Sequence, residues 1–240
     1  MKLTDRVYLV AGSGYGISPL GDCNCYVVDG GSELALIDTG GGYGVGAIMG
    51  NMKRDGLDPM KITKTLITHC HFDHIGGNYE LKEKTGTKII SHPADREPIE
   101  TLNELSLYTM AQERGLEFKA APVDETVVEG DVIMVGEVEL ITVRNPGHTP
   151  GCISFMLDDY GVSSLLCGDI AGASGNLGYI NGPGFVLDDW KASIKKLAAL
   201  KPERMYPGHG TFLLGDATAH LLQYDAKMNA AWTTIITSVG

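Results

Sequence analysis

Seven residues, Thr68-His69-Cys70-His71-Phe72-Asp73-His74, crowd three imidazoles and a carboxylate together, and any fold open to this chain must give those groups a purpose. Neutral imidazole and carboxylate are donors suited to zinc, iron and similar divalent cations, so the stretch reads as a metal site. It follows the β-prone apolar run Lys64-Thr65-Leu66-Ile67 and precedes Ile75-Gly76-Gly77-Asn78, which places it on a loop leaving a strand. Side chains alternate along a strand, so His69 and His71 point the same way at its end. Once the chain turns, Asp73 and His74 face a second point a few ångströms away, and one short loop can serve two cations. Cys70 falls on the opposite side and reads as packing.

Four further motifs accompany this one in order. They are Leu36-Ile37-Asp38-Thr39-Gly40, Pro146-Gly147-His148-Thr149-Pro150-Gly151, Cys167-Gly168-Asp169 and Pro207-Gly208-His209-Gly210. Together with the signature His-x-His-x-Asp-His, the set resembles the metallo-β-lactamase superfamily over roughly residues 20 to 212. The resemblance implies an α/β fold, a four-layer αββα sandwich with its metal site at one edge between the two sheets. Carried over by motif position, it implies that His69, His71 and His148 hold a first metal, that Asp73, His74 and His209 hold a second, and that Asp169 bridges them. Asp38 is then the residue that steadies a ligand through hydrogen bonds.

The activity so implied is that of a metal-dependent hydrolase with two divalent metal ions. Zinc is the first expectation, although iron or manganese suits the same donors. A hydroxide shared between the metals would attack an ester, thioester, lactone or phosphoester, with Asp73 orienting it by a hydrogen bond. Departures from individual branches narrow this. β-Lactamases of the superfamily usually replace or omit a second-site ligand, notably the bridging Asp, whereas Asp169 is present. Glyoxalase II shares the seven ligands but carries a longer helical C-terminal region, and only 31 residues follow His209 here. The tyrosine that lactonases place after the bridging Asp has no match near Gly172. Two other readings stand beside hydrolysis: a mononuclear iron enzyme resembling persulfide dioxygenases, using His69, His148 and Asp169, and a non-catalytic metal-binding or scaffold protein.

Length and charge set further bounds. A chain of 240 residues suits a single domain, 1–240, with a substantial core. Nineteen basic against thirty acidic residues give a net charge of −11 with no basic cluster, which argues against nucleic acid and for a small-molecule substrate. Five cysteines without a paired CxxC arrangement suit a reducing compartment, and Cys23 and Cys25 read as packing. Met1 to Arg6 lacks the apolar core of a signal peptide and no apolar run approaches membrane-spanning length, so a cytoplasmic protein with no membrane partner is expected.

Along the chain, residues 5 to 11 read as a strand, and Asn24 to Val28 with Leu34 to Ile37 as a hairpin about Asp29-Gly30-Gly31-Ser32. Val45, Ile48, Met49 and Met52 keep helical spacing. A short helix is expected near 77 to 85 before the strand Lys88 to Ser91, with His92 structural. A helix over 99 to 114 is expected to start at Pro98 and to carry apolar residues on more than one face, so it needs cover from the site, the core or a second subunit of a homo-oligomer. Strands follow at Glu137 to Leu140, Cys152 to Leu157 and Leu165 to Cys167. Trp190, Ile194 and Leu197 mark a helix that Pro202 ends, and Leu221, Tyr224 and Met228 a last one on which His220 is exposed. Gly168 to Gly184 reads as rim, and Tyr79, Tyr179 and Phe185 are the aromatic candidates for substrate contact.

Overall fold

Two mixed sheets pack face to face in the computed structural model, which describes residues 1–175 and 182–230. The first holds β1 (Val7–Ala11), β2 (Cys25–Asp29), β3 (Leu34–Ile37), β4 (Ile62–Leu66), β5 (Lys88–Ser91) and the two-residue β6 (Glu125–Thr126), in that spatial order. The second holds β7 (Val132–Val135), β8 (Val138–Arg144), β9 (Ile153–Asp158), β10 (Ser163–Gly168) and β11 (Arg204–Pro207), also side by side in chain order. The helices are α1 (Val45–Arg54), α2 (Phe72–Ile75), α3 (Asn78–Thr85), α4 (Pro93–Thr101), α5 (Tyr108–Glu113), α6 (Leu187–Ala199) and α7 (Ala217–Asn229). The expected β2–β3 hairpin pairs Val27 with Leu36. Parallel neighbours then require crossovers, and α1 lies in the one from β3 to β4 as α6 does in the one from β10 to β11.

Alternation along the strands sorts residues into layers. Val7, Leu9, Tyr26, Val28, Ala35 and Ile37 face Ile133, Val135, Leu140, Phe155 and Leu166 of the other sheet. Their neighbours Tyr8, Val10, Val27, Leu34 and Leu36 face outward onto Val45, Ile48 and Met52 of α1. On the opposite flank Val143, Leu165, Cys167 and Met205 meet Trp190, Ile194 and Leu197 of α6 and Leu221 and Tyr224 of α7. The order is helix, sheet, sheet, helix, the four-layer αββα sandwich. Burial of both faces, between the other sheet and α1, explains why β1 and β3 read as unbroken apolar runs. Trp190 is fully buried, and its Nε1–H donates to Ile170 O at 2.8 Å.

The helix expected over 99 to 114 is two helices. α4 starts earlier, with Pro93 in its first turn and His92 Nδ1 accepting from Ala94 N at 3.1 Å, so His92 is a cap and Pro98 lies inside the helix. Pro98 has no N–H for the carbonyl four residues back, and Leu102 ends the helix in the left-handed region (φ 53°). The Asn103 side chain then accepts from Leu105 N at 3.0 Å, fixing a 3-10 turn over Glu104–Ser106 before α5 begins. This break resolves the two-faced pattern: Leu102 and Leu105 pack on Ile67, Cys70 and Ile99, whereas Leu107, Tyr108 and Met110 pack on Phe72 and Ala111. His220 is half-buried rather than exposed, accepting from Ser174 N at 2.7 Å. Among the described residues no helix is long and apolar enough to cross a membrane.

Candidate metal centre

Every proposed ligand emerges where a strand ends. Asp38 follows β3, His69 to His74 follow β4, His148 follows β8, Asp169 follows β10 and His209 follows β11. Parallel pairing sets Ile37 beside Leu66 and Gly168 beside Pro207, so the residues just beyond leave the sheets side by side. The two sheets meet here directly, because Ile153 N donates to Thr68 O at 2.9 Å.

Two groups of donors result. The ring nitrogens of His69, His71 and His148 lie within 4.8 Å of one another, and so do the donor atoms of Asp73, His74 and His209. Asp169 stands between the groups. Its Oδ2 is 4.0 Å from His69 Nε2, 3.7 Å from His148 Nε2 and 3.4 Å from His209 Nε2, and its Oδ1 is 3.3 Å from His74 Nε2. His209 Nε2 is also 3.0 Å from Asp73 Oδ2. His69 Nε2, His71 Nε2, His74 Nε2, His148 Nε2 and Asp169 Oδ1 are buried and have no hydrogen-bond partner among the described residues. A buried polar atom left unpaired costs about 1–3 kcal/mol, so five of them converging on one place is the arrangement of a donor set shaped for cations.

The electrostatics agree. Burial drives His69 and His71 well below the ordinary imidazole value and His148 down to about 4, which keeps their lone pairs free. Burial opposes charge on His74 too, yet the Cys23 thiol and the carboxylates of Asp169, Asp38 and Asp73 outweigh it and raise that group. At His209 burial is likewise outweighed, by Asp169 and Asp73, and its value rises. Burial would lift Asp73, but His74 and His209 hold it at about 2; His209 and His74 likewise hold Asp169 well below the carboxylate range. Two carboxylates held ionised beside the neutral imidazoles of His69, His71 and His148 favour positive charge, and the raised values of His74 and His209 register the same field.

Hydrogen bonds behind the donors set their orientation. Asp38, at a φ of 57°, accepts from Thr68 N, Thr68 Oγ1 and His74 Nδ1, each at 2.8 Å. This turns His74 Nε2 toward the cluster. Thr68 Oγ1 lies 3.1 Å from His69 Nδ1, so one carboxylate orients rings of both groups. His148 rests edge-on against Trp190, with centroids 5.4 Å apart. At position 208 a Cβ would lie 2.3 Å from Asp169 Oδ1 and 2.7 Å from His74 Cε1, so only glycine fits.

Two contributors carried no sequence signal. Asn24 Nδ2 donates to Pro207 O at 3.1 Å and Gly210 O at 3.0 Å, bracketing His209, and Asp95 accepts hydrogen bonds from residues next to His69, His71 and His148. Of the aromatic candidates, Phe185 packs on Trp190 at 5.5 Å and follows a turn whose Gly182, given a Cβ, would place it 3.9 Å from His71 Nε2. Tyr79 instead lines a separate groove with Tyr43, Phe118 and Lys119, whose Nζ sits 5.0 Å from the Tyr79 ring centre. Tyr179 lies outside the described residues. Cys23 and Cys25 are fully buried with sulfurs 3.7 Å apart, and burial pushes both thiols up. Cys70 Sγ faces Leu105 O at 3.4 Å, away from the cluster.

Fold and site together define a class: an αββα sandwich carrying a His/Asp donor cluster at one edge. The chain belongs to the metallo-β-lactamase superfamily, whose family model matches residues 18–209. It is 32% identical over 149 residues to a probable metallo-hydrolase of Bacillus subtilis, covering 61% of this chain and 65% of that one. It is also 32% identical over 149 residues to a hydroxyacylglutathione hydrolase of Rhodospirillum rubrum, covering 62% and 48%. The match thus spans about two-thirds of the first relative and half of the second. A probable metallo-hydrolase of Methanocaldococcus jannaschii is 28% identical over 218 residues, covering 86% and 94%. Among solved structures, a subclass B3 metallo-β-lactamase of Bradyrhizobium japonicum superposes with a TM-score of 0.75 at 24% identity, covering 95% and 89%, a likeness of fold alone.

Proposed function

We propose that the protein is a hydrolase that holds two divalent cations, zinc foremost, on His69, His71 and His148 and on Asp73, His74 and His209, with Asp169 shared, and that it cleaves an ester-like bond in a small molecule. The observation that carries this reading is the convergence at the strand ends of five buried donor atoms with no hydrogen-bond partner among the described residues. Among ester, thioester, lactone and phosphoester bonds the thioester ranks first, because relatives at about the same identity bear the name hydroxyacylglutathione hydrolase. Cations bound here supply Lewis acidity and lower the pKa of bound water toward neutrality.

The chain's own residues do the rest. His69, His71 and His148 stay neutral and fixed, and Asp169 presents one oxygen toward His74 and the other toward His148 and His209. Asp73 Oδ2, ionised and partly open, accepts a hydrogen bond from the attacking water and aims it. The side chain of His209 is 49% exposed against 0% for His69 and 4% for His148, so substrate enters from the His209 side. The turn at Gly182 lies beside His71.

Elemental analysis of protein purified without added metal, paired with a panel of thioester, lactone, ester and phosphodiester substrates, tests the reading. Near two zinc, or mixed zinc and iron, equivalents per chain with hydrolysis is expected. One iron with oxygen consumption on a persulfide and no hydrolysis would overturn it.

A further inference from the structure

We propose that Asp95 is a positioning residue that locks the loops carrying His69, His71 and His148 together and so sets cation affinity at that group selectively over the Asp73, His74 and His209 group. The inference rests on the cluster being a cation site. Asp95 lies in the first turn of α4, outside every motif, and is completely buried. Its Oδ2 accepts from Cys70 N at 2.9 Å and from Thr149 Oγ1 at 2.7 Å, and its Oδ1 accepts from Gly151 N at 2.8 Å.

These donors come from different sheets. Cys70 sits between His69 and His71 on the loop after β4, while Thr149 follows His148 on the loop between β8 and β9. One carboxylate therefore pins the peptide between two imidazoles to the residues just past the third. The fit is close, because a Cβ at Gly151 would lie 2.3 Å from Asp95 Oδ1 and 2.7 Å from Asp95 N. No such bond runs from Asp95 to the other group, whose holders are Asp38 at His74 and Asn24 around His209. Partners of metal ligands typically change affinity by about 10–100-fold when removed.

The test is a cobalt(II) titration of metal-free protein against a competing chelator, for the unaltered chain, Asp95→Ala and Asp95→Asn. His148→Ala and His209→Ala identify which binding step belongs to which group, and the melting temperature of each metal-free variant is measured alongside. The expected result for Asp95→Ala is an about 10–100-fold loss at the step that His148→Ala removes, with less than about threefold change at the other. Asp95→Asn, which keeps the shape and part of the bonding, falls between and serves alone if the alanine variant does not fold. Equal weakening of both steps, or no change at either, overturns the proposal. An unaltered chain that takes up no cobalt overturns the cation reading itself.

Discussion

The two donor groups face the same few ångströms of space but differ in how far they open to solvent. His69, His71 and His148 are buried, clamped through Thr68 and Asp95, and backed by Trp190. In the other group His74 is buried against Asp38, but Asp73 and His209 have side chains 19% and 49% exposed, with the His209 loop held by three bonds from Asn24 and by the Tyr26 and Tyr15 hydroxyls. On the proposed reading the difference teaches a division of labour: the enclosed group would retain its cation, and the open one would meet substrate and exchange solvent. Preorganised, water-excluded donors hold charge best, whereas a site that turns over must admit its reactants.

The comparison breaks most directly at the enclosed group. His71→Ala should abolish turnover and the tighter cation step while circular dichroism still reports a folded chain; full activity in metal-loaded variant protein would refute the assignment. Next in size is Gly208→Ala, which drives a methyl into Asp169 and His74. Overpacking of this kind costs about 1–3 kcal/mol, and thermal denaturation together with loss of the weaker cation step would register it. Asp38→Ala should weaken both steps by about 10–100-fold, because its bonds reach His74 directly and His69 through Thr68. Calorimetric titration showing a loss at one step only would redraw the division. The smallest effect on cations is expected from Asn24→Ala. It should lower stability by about 0.5–1.5 kcal/mol in chemical denaturation, since it removes two hydrogen bonds to carbonyls that keep the Tyr26 and Tyr15 hydroxyls as donors, and raise KM a few-fold with the enclosed step unchanged.

Much of this was legible in the sequence because the chemistry is local. The ligands stand in short motifs with glycine beside them, and the strands before them announce themselves by apolar runs. Asp95 was not legible: its partners lie 25 and 54 positions away, and by itself it is one acidic residue at the start of a helix, where such residues are ordinary. Asn24 was hidden for the same reason, with partners at Pro207 and Gly210. The break after α4 was missed because apolar spacing carried the helix past Asn103, whose side chain wins the backbone over. Tyr79 could be given an aromatic role but no direction, since its place in the groove with Lys119 depends on a segment forty residues later.

Backbone bonds from Ile153 to Thr68 and from Asn24 to Gly208 join the sheets at the edge where the donors gather. Each donor group also draws from both sheets, His69 and His71 with His148, and Asp73 and His74 with His209. A cation on either group would therefore act as a rivet between the two leaves of the sandwich, closing a loop of chain as a disulfide does but opened by chelation instead of reduction. At a free concentration a thousandfold above its dissociation constant, such a rivet adds about 4 kcal/mol of stability. Stripping the metal would then loosen the hinge between the leaves, and susceptibility to protease should rise in step with the loss of catalysis.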